Sequence, residues 1–461
     1  MHRLTKRSLP STPTWSPPPP PEEEGNHRGS GRPSKSNSRL SQSSTFPTFP
    51  VGFGSLLLLT VFIVITITSY TNFISPHINQ VANINANTLT KTTTPSAVRL
   101  CTSDELLVIK RQLPPDDCLK YRKKPWLQRC SLTYATRCPD AVWLEKHYTN
   151  LRFTSGNPSP PFLAVFVGCN KGFDALNALR MGSGNPVFDK GLWNDAITQH
   201  GKLTLHRYVC NEVTRTQFDL PLENKVTSSP FLSQVHCIEP MPATARALKQ
   251  AAQETKYDMM GFIVSHAALS RENGFVSFSA DGAVGVENKG ISNTNCGGDG
   301  TNCVNVTKYS LDSYVERFVP MDVNNNVSPI NYLSVDVEGW DYEVLLGGVR
   351  HSLARVQYLE FEYNWVGPWK TRPLSEVIQF LDAQFGFTCY WAGFNNTIWR
   401  ITNCWLDHYE SHFWSNVACV NRNIDEVKDL AEDMEKLFME TLKKDDDAVR
   451  NYEHRFKRSD E

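Results

Sequence analysis

Two carboxylates close an apolar run in Asn331-Tyr332-Leu333-Ser334-Val335-Asp336-Val337-Glu338-Gly339. In an extended strand positions i and i+2 share one side, so Asp336 and Glu338 stand together at the strand's C-terminal tip, where open α/β sheets bind their ligands. Acids in that place cost stability unless they engage a partner. Their chemistry suits removal of a proton from an acceptor hydroxyl, with Asp336 as base and Glu338 orienting the acceptor. His266, ending the strand-like run GFIVSH, is an alternative base. Two hard oxygen donors also suit Mg2+, which makes Asp336 a candidate metal ligand as well.

A second set of residues suits binding. Phe162 to Val167 (FLAVFV) is a short continuous apolar run that ends in Gly168-Cys169-Asn170-Lys171-Gly172, ahead of the helical-looking FDALNALR. Strand, glycine turn and helix in that order let backbone approach a nucleotide-like ligand. A tight corner would have the same glycines, so the turn alone does not decide. Val235 to Ile238 ends in Glu239-Pro240 and leads into PATARALKQAAQET. An acid at the end of a second strand is placed to accept from both hydroxyls of a ribose, while the bland alternative is a helix-capping carboxylate.

The elements that must position these groups alternate along the chain. Further strands are expected at Val356 to Tyr363 (VQYLEFEY, carrying Glu360 and Glu362), 387–393 and 412–420. Helices are expected at PLSEVIQFLDAQF (373–385) and across WDYEVLLGGVRHSL. Strands alternating with helices predict an α/β fold with a mostly parallel, doubly wound sheet. Ile424, Val427, Leu430, Met434, Leu437 and Phe438 recur at helical spacing, which predicts a charged surface helix within 421–461.

Outside that domain the composition changes. Residues 1–50 hold 10 of the 28 prolines and no apolar periodicity, and read as a disordered tail. Residues 51–70 are apolar and uncharged, long enough at about 1.5 Å per residue to cross a hydrocarbon core of about 30 Å as one helix. Arg28, Arg32, Lys35 and Arg39 precede this span and no Lys or Arg follows before Lys91, so the N-terminus is expected to be cytoplasmic and the rest lumenal. The expectation is a single-pass type II membrane protein of the Golgi or endoplasmic reticulum. Residues 71–97 read as a stem, 98–150 as a cysteine-containing collar and 151–420 as the catalytic domain. All 12 cysteines lie after residue 100, which suits disulfides in an oxidising compartment. Sequons at Asn305, Asn326 and Asn395 agree. Lys plus Arg (47) balances Asp plus Glu (48), which removes the broad basic footprint of a nucleic-acid binder.

The ordered series Val167-Gly168-Cys169-Asn170-Lys171-Gly172, Ile238-Glu239-Pro240, Ser310-Leu311-Asp312-Ser313-Tyr314, Ser334-Val335-Asp336-Val337-Glu338-Gly339 and Glu360-Phe361-Glu362 resembles the FkbM-type methyltransferase family over residues 160–420. The resemblance implies a class I Rossmann-like, S-adenosylmethionine-dependent enzyme, with Gly168, Cys169, Asn170, Lys171 and Gly172 under the methionine portion of the cofactor and Glu239 on its ribose. Phe166 stands where the family has an Asp, and Lys171 where an apolar residue is usual. The interval from Gly172 to Glu239 is also long, so residues 181–234 read as an insertion. An O-methyltransferase acting on a glycan or small-molecule hydroxyl is the resulting expectation. The rivals are a type II glycosyltransferase using Asp336 and Glu338 as a metal-binding motif, and a catalytically silent glycan-binding homologue.

Overall fold

The computed structural model describes residues 98–113, 142–154, 162–201, 233–280, 283–286, 302–319, 328–393, 397–412 and 415–445. The expected tail, membrane span and stem (1–97) lie outside the described residues, as do the sequons at Asn326 and Asn395 and five of the cysteines. Among the described residues no helix is long and apolar enough to cross a membrane.

Along the chain, helices α1 (Ser103–Gln112) and α2 (Val142–Thr154) precede strand β1 (Leu163–Val167). Helices α3 (Phe173–Ser183) and α4 (Lys190–His200) then lead to β2 (Gln234–Ile238). Helix α5 (Pro242–Thr255) matches the expected PATARALKQAAQET, with proline in its first turn where a missing N–H costs nothing. There follow β3 (Phe262–Ser265), β4 (Ala268–Ser270), β5 (Gly274–Ser279), β6 (Cys303–Ser310), α6 (Leu311–Phe318) and β7 (Ile330–Val335). The last elements are α7 (Asp341–Leu346), β8 (Val356–Tyr363), α8 (Leu374–Phe385), β9 (Phe387–Ala392), β10 (Ile398–Arg400), β11 (Ser415–Asn421) and α9 (Lys428–Thr441).

Eight strands form one sheet in the order β10-β9-β11-β8-β7-β1-β2-β3. Strands β3, β2, β1, β7 and β8 are mutually parallel, whereas β11 is antiparallel to both β8 and β9 and β10 is antiparallel to β9. The mixed α/β, mostly parallel architecture is Rossmann-like. All five residues of β1 are buried, which explains its unbroken apolar run: a central parallel strand is covered on both faces. From β1 the chain steps outward to β2 and β3, then returns to place β7 on the other side of β1. The winding direction therefore reverses between β1 and β7, which opens a crevice beyond the C-terminal ends of those two strands.

Two features depart from expectation. The helix-like run after Glu338 is helical only over Asp341–Leu346. It ends because Gly347 passes against β4: a Cβ there would lie 2.3 Å from the Ser270 carbonyl oxygen. A small second sheet, β4-β6-β5, is also present. It turns Val276, Phe278, Val304 and Val306 inward toward Met241 and Ala268, and leaves Phe275, Ser277, Asn305 and Thr307 on its other side.

The collar and the C-terminal helix share the main core. Ile109, Val427, Leu430, Met434 and Phe438 are all fully buried, Trp143 Nε1 donates to Tyr358 Oη at 3.1 Å, and Gln112 Nε2 donates to the Thr441 carbonyl at 2.7 Å. In the span read as an insertion, Trp193 of α4 is fully buried and packs on Phe262 with ring centroids 4.8 Å apart. Cys101 and Cys404 form a disulfide across a sequence separation of 303. Replacing both by Ala should lower unfolding free energy by about 2–5 kcal/mol, read from the urea midpoint at constant slope; an unchanged midpoint would show that the bond does not constrain the chain.

Candidate active site

The last paired rows of the central strands are Val167 with Ile238, Val167 with Val335, and Val335 with Phe361. One residue further on, the chain presents Glu239, Gly168, Asp336 and Glu362 side by side on β2, β1, β7 and β8. The row continues the sheet's hydrogen bonding: Gly168 N donates to Ile238 O at 3.0 Å and Asp336 N to Val167 O at 2.9 Å. Gly168, Glu239 and Asp336 thus converge on the rim of the crevice left by the reversal of winding.

Gly168 has φ +83°, and a Cβ on it would lie 1.7 Å from the Asp336 carbonyl oxygen, so only glycine lets the two strand ends meet. The turn then bends sharply. Asn170 takes a left-handed φ of 46°, and Gly172 N closes the turn on Cys169 O at 2.8 Å. Non-glycine residues rarely adopt that conformation, and where they do the surrounding contacts hold them. Here the contact is Glu239, whose Oε2 accepts from Asn170 N at 2.9 Å while Oε1 accepts from Met241 N at 2.8 Å. A disulfide between Cys169 and Cys237 fastens the turn to β2 a second time. Lys171 is buried, its side chain lying along Gly285, and its carbonyl accepts from Trp193 Nε1 at 2.9 Å. Phe166, where the sequence resemblance leads one to expect an Asp, faces Tyr332 in a T-shaped contact inside the core.

The acidic tip is held from below. Asp336 is exposed and Glu338 half-buried, with Glu338 in a left-handed conformation at φ 56°. Asp341, fully buried, accepts from Val337 N (3.3 Å), Gly339 N (3.2 Å) and Trp369 Nε1 (3.2 Å), which fixes the 336–339 turn. Gly339 passes the Val366 carbonyl so closely that a Cβ would come within 2.4 Å of its oxygen. Glu362, buried on β8 beside Asp336, accepts from Asn364 Nδ2 at 2.6 Å. On the same strand and the same side, Glu360 lies two residues before the rim row and accepts from Tyr332 and Tyr358 hydroxyls at 3.0 and 3.2 Å.

Burial decides the electrostatics. It raises the Glu239 carboxyl to about 7 against the opposing pull of its two backbone donors, and raises Asp341 to about 7 in the same way. Glu362 lies well above the usual carboxylate range, first through burial and then through the charges of Asp336, Glu338 and Asp341. Protonation of buried members of such a group lets an exposed one stay ionised. His266 is exposed and its Nε2 lies 3.2 Å from the Pro240 carbonyl. It follows β3, three strands from Asp336 and about 14 Å away at sheet spacing, so it stands with Glu239 and not with the acidic tip. Among the described residues no group of three or more His, Cys, Asp or Glu is arranged to hold a metal ion, so the expected Mg2+ site at Asp336 gains no support.

Glu362 and Asp341 were not singled out as site residues from the sequence. The signal for Glu362 was its place two residues after Glu360 on an expected strand; strand register was needed to show which acid meets Asp336. Asp341 reads as an ordinary first-turn acid until the turn folds back onto it.

Residues 228–389 match the family model described as Methyltransferase FkbM domain. The match contains Glu239, His266, Asp336, Glu338 and Glu362, and begins after the turn at 168–172. No curated protein and no solved structure matches the chain.

Substituting Gly168 by Ala should cost about 2–4 kcal/mol through the left-handed backbone and the clash with Asp336. Thermal unfolding measures it, and an alanine variant as stable as the parent would show that the strand ends do not meet as described.

Proposed function

From a chain whose residues 228–389 form an FkbM methyltransferase domain, we propose an S-adenosylmethionine-dependent O-methyltransferase that acts in the secretory lumen on a hydroxyl of a glycan or other small acceptor. The observation that carries the reading is the single row Glu239, Gly168, Asp336 and Glu362 on the rim at the winding reversal.

The residues present fit the cofactor. A carboxylate offers about four acceptor positions, of which Glu239 uses one on each oxygen for backbone; the remaining ones suit two ribose hydroxyls. Asn170 Oδ1 is buried without a hydrogen-bond partner, as an acceptor for the ammonium of a bound amino acid would be. Gly168 lets the ends of β1 and β7 close on each other beside that turn. When bound, the cofactor supplies a methyl group activated on a sulfonium.

The protein's part is alignment and proton removal. Asp336, exposed at the tip of β7, takes the acceptor hydroxyl's proton as its oxygen attacks, and Glu338 in its fixed turn orients the acceptor. Burial and the neighbouring charges favour the protonated form of Glu362, and the exposed Asp336 is the carboxyl beside it that water can solvate. His266, beside Pro240, belongs to the cofactor side of the crevice. A lumenal location is supported by chemistry: all seven cysteines among the described residues are disulfide-bonded, including Cys169 and Cys237 at the turn itself.

S-adenosylhomocysteine at a hundredfold excess over its dissociation constant should stabilise the protein by about 2.7 kcal/mol, while a nucleoside diphosphate with Mn2+ should leave the melting temperature unchanged. The opposite pattern would establish the glycosyltransferase reading. Asp336→Asn should lower kcat by about 10²–10⁴ with cofactor affinity unaltered; full turnover in that variant would remove Asp336 as base. Glu362→Gln, which mimics the neutral acid, should remain within about tenfold of the parent at pH 7. A loss as deep as that of Asp336→Asn would mean that Glu362 works ionised.

A further inference from the structure

We infer that Asn305 carries an N-linked glycan whose first sugar covers the ring of Phe275 on the outer side of the small sheet. The inference goes beyond the methyltransferase reading and shares with it only the lumenal location.

Asn305-Val306-Thr307 lies within β6, whose middle residue Val306 is buried in the sheet's inner cluster. Alternation therefore turns Asn305 and Thr307 to the same side, away from that cluster. Asn305 is exposed, and its Oδ1 accepts from Ser277 Oγ at 2.8 Å. That bond engages the oxygen, whereas a glycan attaches at Nδ2. Opposite the sequon on β5, Ser277 pairs with Asn305 and Phe275 pairs with Thr307. Phe275 is thus the diagonal neighbour of Asn305 on the same side, within reach for a group attached there.

Phe275 is 73% exposed, the one large apolar residue on a strand side otherwise occupied by Ser277 and Ser279. A single exposed ring is common on protein surfaces and means little alone. A ring set beside the acceptor of a sequon has a specific occupant: the apolar face of a sugar ring packs on an aromatic face and removes its surface from water.

The transfer needs a lipid-pyrophosphate-linked oligosaccharide, the donor class of the secretory lumen. The bond between sugar C1 and the pyrophosphate oxygen breaks, a bond from C1 to Asn305 Nδ2 forms, and one amide proton leaves with the lipid pyrophosphate. Thr307 completes the motif that the transfer requires.

The full chain, expressed through the secretory pathway of a eukaryotic cell, would be digested with peptide N-glycosidase in 18O-water and its peptides read by mass spectrometry. Conversion of Asn305 to labelled Asp in the majority of molecules is expected, and is lost in Thr307→Ala. Unmodified Asn305 in protein whose Cys169–Cys237 bond is formed overturns the inference and leaves the methyltransferase reading standing. Unmodified Asn305 with free thiols throughout overturns it together with the lumenal location. For the ring, enzymatic removal of the sugar should lower the melting temperature by about 2–4 °C in the parent and leave Phe275→Ser unchanged. Equal shifts in the two proteins would overturn the stacking.

Discussion

The site depends on one steric fact, that the Asp336 carbonyl occupies the space where any side chain at position 168 would stand. Because Gly168 has none, the ends of β1 and β7 close on each other at the point where the sheet's winding reverses. The rest of the rim is set by that contact. The chain must leave β1 in a left-handed turn, Asn170 must present its N–H sideways to Glu239, and Cys169 is brought to the sulfur of Cys237. The glycine turn is therefore fastened to both of its neighbours before any ligand arrives. Preorganisation of that kind reduces the ordering that binding would otherwise have to supply.

The second feature is the number of carboxyl groups drawn into one crevice. An isolated buried carboxylate is expensive, and three of the rim's acids are buried: Glu239, Asp341 and Glu362. Backbone N–H groups offset the cost at Glu239 and at Asp341, and an amide does so at Glu362. What remains shows in their protonation, since burial lifts all three above the ordinary carboxylate range. The exposed Asp336 is the member best able to remain charged in water. A fold that concentrates acids and buries three of them separates one exposed carboxyl from the scaffold that holds it. It also makes Glu239 sensitive to what binds there, because hydroxyl donors favour its ionised form.

Much of this frame was legible in the residues. Strand β1 and helix α5 fall where the sequence put them, because an unbroken apolar run and a proline-opened helix with small residues on one face have few other solutions. The rim motifs were legible as strand ends followed by glycine. The small sheet was not: β4 has three residues, and the Val304–Val306 alternation is too short to announce a strand whose partners are far away in sequence. Nor could composition pair the cysteines, since the partners Cys169 and Cys237 are set by the register of β1 against β2. The distinction between Glu360 and Glu362 had the same origin. They share a strand side by parity, and only pairing with β7 puts one under two tyrosine hydroxyls and the other beside Asp336.

The central claim is that Glu239, buried and held near neutrality, meets a ribose at this rim. Titration calorimetry of the full chain with S-adenosylhomocysteine, at pH 7 in buffers of different ionisation enthalpy, counts the protons exchanged on binding. The account requires a fractional proton release, because the carboxyl is partly protonated when free and ionised when hydroxyls donate to it, and requires that release to vanish in Glu239→Gln. Binding with no proton linked to Glu239, or no binding in protein whose disulfides are formed, would contradict it.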